Sequence, residues 1–194
     1  MAGAGQLVLR DCALERGGRQ LFSGLSFTLD AGEAALVTGP NGAGKSSLTR
    51  MIAGLLPVAE GQMRVTGRLA LSNESLALDS AQPLGAALAF WAELDGQGAD
   101  AVATALEVLA IPHLAPVPVR MLSTGQRKRA SLARVMASGA DIWLLDEPAN
   151  GLDTASIPLL EAAMAAHRTA GGIVLAVSPQ PLVLPDAQQV RIGA

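Results

Sequence analysis

Tyrosine is absent from this chain of 194 residues, and the aromatic class amounts to two tryptophans and three phenylalanines. With so little aromatic surface the core has to be aliphatic, and half of the residues are hydrophobic, enough to bury one of good size. A single cysteine, Cys12, excludes an intramolecular disulfide framework and any cysteine-rich metal site; it reads as a small apolar residue of an N-terminal strand. Charge is sparse at 16% of residues, and lysine occurs only at Lys45 and Lys128. The formal net charge of -3 argues against a nucleic-acid partner held by basic charge. Long apolar runs are missing too, despite a mean hydropathy of +0.36. The longest stretch without a charged residue is 169–185, whereas a spanning helix wants about 20 apolar residues. Its Gly171, Gly172, Pro179, Pro181 and Pro185 suit a strand and loops. The N-terminus has no basic segment followed by an apolar core, so no secretory signal is expected, and the chain reads as soluble and intracellular.

The length fits one domain with a small insertion. Residues 6–10 and 25–29 read as strands, with turns at 16–18 and 30–33, and residues 34–38 as a fully buried strand. A helix is predicted from Gly44 to about Leu55, with Leu48, Met51, Ile52 and Leu55 on one face. Residues 82 to about 114 are Ala- and Leu-rich and helical, broken at 95–98. Pro112, Pro116 and Pro118 then mark a linker before a helix at about 126–138. A strand at 142–145, a helix at 157–167 and a strand at 173–177 complete the pattern. Such alternation predicts an α/β fold, a largely parallel sheet with a helical insertion in the middle.

The strongest motif is Gly39-Pro40-Asn41-Gly42-Ala43-Gly44-Lys45-Ser46, a full match to G-x-x-x-x-G-K-[ST] between an apolar strand and a helix. Its glycines let backbone N–H groups turn inward onto phosphate oxygens at the helix N-terminus, where Ser47 follows. Lys45 would reach the β- and γ-phosphates, and Ser46 would ligate Mg²⁺. A second strand ends in Asp146-Glu147, delivering two acids to the edge of the sheet where the P-loop opens. Asp146 suits a Mg²⁺ contact through water, and Glu147 suits a general base acting on the attacking water.

Between these motifs lies Leu122-Ser123-Thr124-Gly125-Gln126, which resembles the signature of the ATP-binding cassette (ABC) ATPases, and Asn150-Gly151-Leu152-Asp153 resembles their D-loop. The resemblance covers essentially the whole chain. It implies one ABC ATP-binding domain over 1–194, a mostly parallel core with N-terminal antiparallel strands and a helical subdomain at about 80–140. It also implies an ATP-bound homodimer in which Ser123 and Gly125 of one copy close on the γ-phosphate held by the other. Within the cassettes, Leu21-Phe22-Ser23-Gly24-Leu25-Ser26-Phe27-Thr28-Leu29, the compact length, and Gly171-Gly172-Ile173-Val174 leading to Gln180-Pro181-Leu182 resemble the ATP-binding subunits of the heme exporter of cytochrome c maturation. That implies a peripheral protein on the cytoplasmic face of the bacterial inner membrane, working with integral membrane subunits to release a heme-loaded chaperone. Such a resemblance also places a coupling groove for those subunits around Leu76-Ala77-Leu78, Leu84, Leu88, Phe90 and Trp91, with Phe90 expected in the core.

Three positions depart from the family. Where an aromatic residue stacks on adenine the chain has Arg16, whose guanidinium can lie on a base face. The loop after 69–71 offers Asn73, Glu74 or Ser75 in place of a glutamine. Pro179 stands where a histidine contacts the γ-phosphate, leaving Ser178 or Gln180 to do so. Intact ATP binding and a turnover slowed by about 10–100-fold are expected from the loss of one transition-state contact. His113 and His167 are expected to have neither a catalytic nor a heme-ligating role. Alternatives are the ATPase subunit of another small exporter, a soluble cassette acting on DNA or ribosomes, and a nucleotide-gated interaction module with weak turnover.

Overall fold

Alternating apolar side chains build the central layer of the computed structural model, which describes residues 5–73, 76–179 and 181–193. The elements run β1 (Gln6–Arg16), β2 (Arg19–Leu29), β3 (Ala34–Thr38), α1 (Lys45–Ile52), β4 (Glu60–Thr66), β5 (Leu69–Ser72), α2 (Leu84–Leu94), α3 (Ala99–Val108), α4 (Thr124–Ala137), β6 (Ile142–Asp146), α5 (Ser156–Thr169), β7 (Ile173–Val177) and β8 (Gln188–Arg191). Every residue of β6 and β7 is buried, as expected of parallel strands covered on both faces. Ile142, Leu144, Ile173, Leu175 and Val177 pack with Leu48, Met51 and Ile52 of α1 and with the apolar face of β1. Trp143, Leu145, Val174 and Ala176 point the other way, into a core shared with Leu84 and Leu88 of α2, Leu106 of α3, Ala133 of α4 and Met164 of α5.

Five parallel strands are ordered β5-β6-β7-β3-β8, and a separate antiparallel sheet is ordered β2-β1-β4. The helices α2, α3 and α4 lie between β5 and β6 in the chain. No helix among the described residues is long and apolar enough to cross a membrane. Cys12 is a buried strand residue whose thiol donates to the Gln62 carbonyl, as its apolar reading requires.

Several sequence-based boundaries are corrected. The strand predicted at 6–10 continues to Arg16, because a bulge at Asp11 (φ 48°) resets the period of two that marks a strand. Gly61 fits against that bulge: a Cβ there would lie 2.3 Å from the Asp11 carbonyl oxygen. The first helix ends at Ile52 rather than near Leu55, since Gly54 turns the chain at φ 75° and leaves Leu55 exposed. β4 and β8 were not legible, because each exposes most of its residues and carries few apolar ones.

Candidate functional site

The P-loop joins β3 to α1, and its glycines meet a steric demand that other residues cannot. At Gly39 (φ 151°) a Cβ would stand 2.2 Å from the Ile192 carbonyl oxygen, and Gly44 takes φ 100° at the helix N-cap. No side chain caps α1 and no acid of the helix sits in its first turn, so neither competes with a ligand for the first backbone N–H groups. Lys45 is buried, and its Nζ donates to the carbonyls of Gly39 (2.8 Å) and Pro40 (2.9 Å), which pins the cation across the loop. Asn41, Gly42, Gly44, Lys45, Ser46 and Ser47 line a cleft of about 450 Å³ whose far wall includes the exposed Arg16.

The acid strand arrives at the same place. Ser46 Oγ donates to Asp146 Oδ1 at 3.0 Å across 100 positions of sequence. Burial pushes the Asp146 carboxyl above the ordinary carboxylate value, opposed by the Ser46 hydrogen bond and by the Lys128 charge. An anion held at that cost, beside a hydroxyl oxygen, suits a hard cation such as Mg²⁺. Among the described residues no group of three or more His, Cys, Asp or Glu could hold a metal. Glu147 follows in a left-handed conformation (φ 47°), uncommon for a residue with a side chain. Its amide donates to the Val177 carbonyl (2.9 Å), and its carboxylate accepts from Asn150 Nδ2 (3.3 Å). Glu147 borders both the P-loop cleft and a second one of about 430 Å³, shared with Asn73, Thr124, Lys128, Asp146 and Asn150.

The signature opens α4 with a capping box. Ser123 Oγ accepts from the Gln126 amide (3.3 Å), and the Ser123 amide donates to Gln126 Oε1 (2.9 Å). The Ser123 hydroxyl proton is not consumed by that bond and stays available to a ligand. Leu122 is buried beneath the turn, Thr124 is exposed, and Gly125 lies so close to the D-loop that a Cβ would meet the Gly151 carbonyl at 2.9 Å. At the start of α5 the Ser156 hydroxyl, and then its amide (2.8 Å), hydrogen-bond to the Asp153 carboxylate and hold its carboxyl below the usual range.

Of the three substitutes for the missing glutamine, Asn73 lines the second cleft; Glu74 and Ser75 lie outside the described residues, as does Gln180. Ser178 is buried at the end of β7, and Pro179 is exposed. Phe90 is not in the core: it is 59% exposed and meets Trp91 edge-on. With Leu76, Ala77, Ala86 and the half-buried Trp91 it lines an apolar groove of about 660 Å³. The sequence reading missed Lys128, Ser131 and Arg134, which fasten α4 to the sheet; their spacing of three along one helix was the available signal.

His167 is far from this chemistry, stacked on Trp143 near the opposite end of β6 with centroids 3.9 Å apart. Its Nε2 is buried against Gly172 with no hydrogen-bond partner among the described residues, and burial holds its pKa below the ordinary 6.5. A depressed folded pKa means the unfolded chain binds the proton more readily. The stability present above pH 6.5 is therefore lost as pH falls from there through the folded value. Asp146 runs the opposite way in a more acidic window, because its folded pKa is raised above 3.8. Urea midpoints at pH 7.5 and 5.5 should drop for the wild type and drop less for His167→Phe. An equal drop in both would refute this origin.

Residues 22–150 match the family described as ABC transporter. The chain is 52% identical over 187 residues to the cytochrome c biogenesis ATP-binding export protein CcmA of Sphingopyxis alaskensis, covering 96% of each. It is 54% identical to the CcmA protein of Zymomonas mobilis, covering 98% of this chain and 86% of that one. Among solved structures, an ATP-binding subunit of an ABC transporter superposes with a TM-score of 0.81 at 22% identity, covering 89% of this chain and 79% of that one. A bacterial Atm1-family ABC exporter with ATP bound gives 0.78 at 21% identity, over 93% of this chain and 35% of that one. At such identities the structural likeness speaks for the fold.

Proposed function

The chain belongs to the ABC transporter family as an ATP-hydrolysing subunit, and we propose that it drives heme export in cytochrome c biogenesis. The near-full-length similarity to curated CcmA proteins carries this reading. In it, the subunit sits peripherally on the cytoplasmic face of the inner membrane, docked on integral membrane subunits, and its ATP hydrolysis releases a heme-loaded chaperone.

The site residues take their roles from position. Lys45 and the N–H groups opening α1 neutralise the β- and γ-phosphates, with residues 39–47 wrapping the triphosphate and Arg16 beside the adenine. Ser46 and, through water, Asp146 would hold Mg²⁺, which supplies charge neutralisation across the phosphates. Glu147 accepts a proton from water as the water oxygen bonds to the γ-phosphorus and the bond to the β–γ bridging oxygen breaks, giving ADP and phosphate. Two copies face each other head to tail. Ser123 and the Gly125 amide of one then donate to the γ-phosphate on the other, and the D-loop Asp153 lies at the same seam. Leu122, Thr124 and Gln126 shape that donor turn. With Pro179 unable to donate a hydrogen bond, turnover is slow. A nucleotide-gated module with weak hydrolysis is the second reading, favoured by that same proline.

The apolar groove under Phe90 is the docking surface for the membrane subunits in this reading. Leu78, at 7% exposure, is core and unsuitable as a probe, whereas Phe90 can be changed without opening a cavity. Phe90→Asp should fold, bind ATP with unchanged affinity, and no longer co-purify with membrane subunits. A folded Phe90→Asp chain that holds them as the wild type does would refute the docking site.

A further inference from the structure

Lys45 fastens one side of the P-loop through the Gly39 and Pro40 carbonyls, and the segment after β8 covers another. β8 is an edge strand of the parallel sheet, paired with β3 from Ala35 opposite Gln188 to Thr38 opposite Arg191. The ladder runs one residue further, where the Ile192 amide donates to the Thr38 carbonyl at 3.0 Å. Thr38 is the last residue before the P-loop, so this bond brings Ile192 and Gly193 up to the loop itself. The Ile192 side chain is buried in the same core as Val37 and Leu48, which anchors the segment.

Two backbone contacts follow. The Ile192 carbonyl oxygen lies where a Cβ on Gly39 would stand, at the point where β3 enters the loop. A Cβ on Gly193 would meet the Ala43 Cβ at 2.5 Å and the Pro40 Cδ at 3.5 Å. Pro40 and Ala43 are the two ends of a turn inside the loop, closed by the Ala43 amide on the Pro40 carbonyl at 3.2 Å. Gly193 therefore sits against both ends of that turn, with a φ of 73° that side chains rarely adopt. A phosphate cradle built from backbone N–H groups has no side chain that can readjust, so its fit depends on what holds the backbone.

We propose that Gly193 is a positioning residue for the P-loop: it leaves the room in which the Pro40–Ala43 turn keeps its phosphate-binding curvature. The proposal rests on the reading of the cleft as an ATP site. It places a determinant of triphosphate affinity outside the loop, on a segment that supplies no reacting group.

Asparagine tolerates a positive φ better than most side chains, so Gly193→Asn adds the Cβ with little backbone strain; Gly193→Ala adds it with no polar group. Each should weaken calorimetric Mg-ATP binding by about tenfold or more, the scale of an overpacked contact, with the melting temperature as in the wild type. Adding Ala43→Gly to either variant removes the atom that is struck and should restore most of the lost affinity. Unchanged affinity in both Gly193 variants overturns the proposal. So does a loss that Ala43→Gly leaves in place, or one matched by a falling melting temperature. A wild-type chain without calorimetric binding would instead overturn the ATP-site reading, and the proposal with it.

Discussion

Lys45→Ala is expected to weaken Mg-ATP binding by about 100-fold or more, from a loss of roughly 3 kcal/mol when a charge-assisted phosphate contact disappears. The size follows from composition and geometry together. Lysine occurs at only two positions, and the other, Lys128, is committed to the Asp146 carbonyl on the far side of the acid pair. Within the P-loop, Lys45 is therefore the cation proposed to meet the phosphates. Its ammonium also ties Gly39 to Pro40, so the variant's melting temperature must be measured beside its affinity. Calorimetry with Mg-ATP is the test. A folded Lys45→Ala protein with near-wild-type affinity would end the P-loop assignment.

Glu147→Gln should leave that affinity intact and lower kcat by about 100–10,000-fold, the range a positioned general base supplies. The amide keeps the shape of the carboxylate and a hydrogen-bonding group for Asn150, so the strained backbone at residue 147 has little reason to relax. With the proton acceptor gone, ATP persists, and two copies closed over two nucleotides should accumulate. Phosphate release and size-exclusion chromatography with Mg-ATP read the two effects separately. A kcat within about threefold of wild type would remove Glu147 from the role of base.

What was legible in the sequence is what a short segment decides by itself. The P-loop couples strand, glycines, lysine and helix within about a dozen residues, and each of those choices is fixed by local backbone sterics. The strand ending in Asp146-Glu147 needs only its own apolar run, and the Ser123–Gln126 capping box is written in four consecutive residues. Phe90 and Leu55 were misplaced because helical periodicity says which residues share a face without saying where the cover stops. The Ser46–Asp146 contact was anticipated only as shared membership of one site; its geometry depends on the order of β3, β7 and β6 in the sheet. Contacts such as Arg134 to Leu71 and to Trp91 span tens of residues: the spacing of three along α4 singles out Arg134, but nothing local names its partners. The stack of His167 on Trp143 was likewise hidden, for the same reason.

In the proposed function, hydrolysis by this chain drives release of the heme-loaded chaperone from the membrane complex. The most direct measurement is chaperone release from membranes carrying the complex, given Mg-ATP, a non-hydrolysable analogue, or Mg-ATP with the Glu147→Gln subunit. Release in the first case alone is the predicted result. Equal release with the analogue or with Glu147→Gln would show that nucleotide binding suffices and that hydrolysis does not drive release.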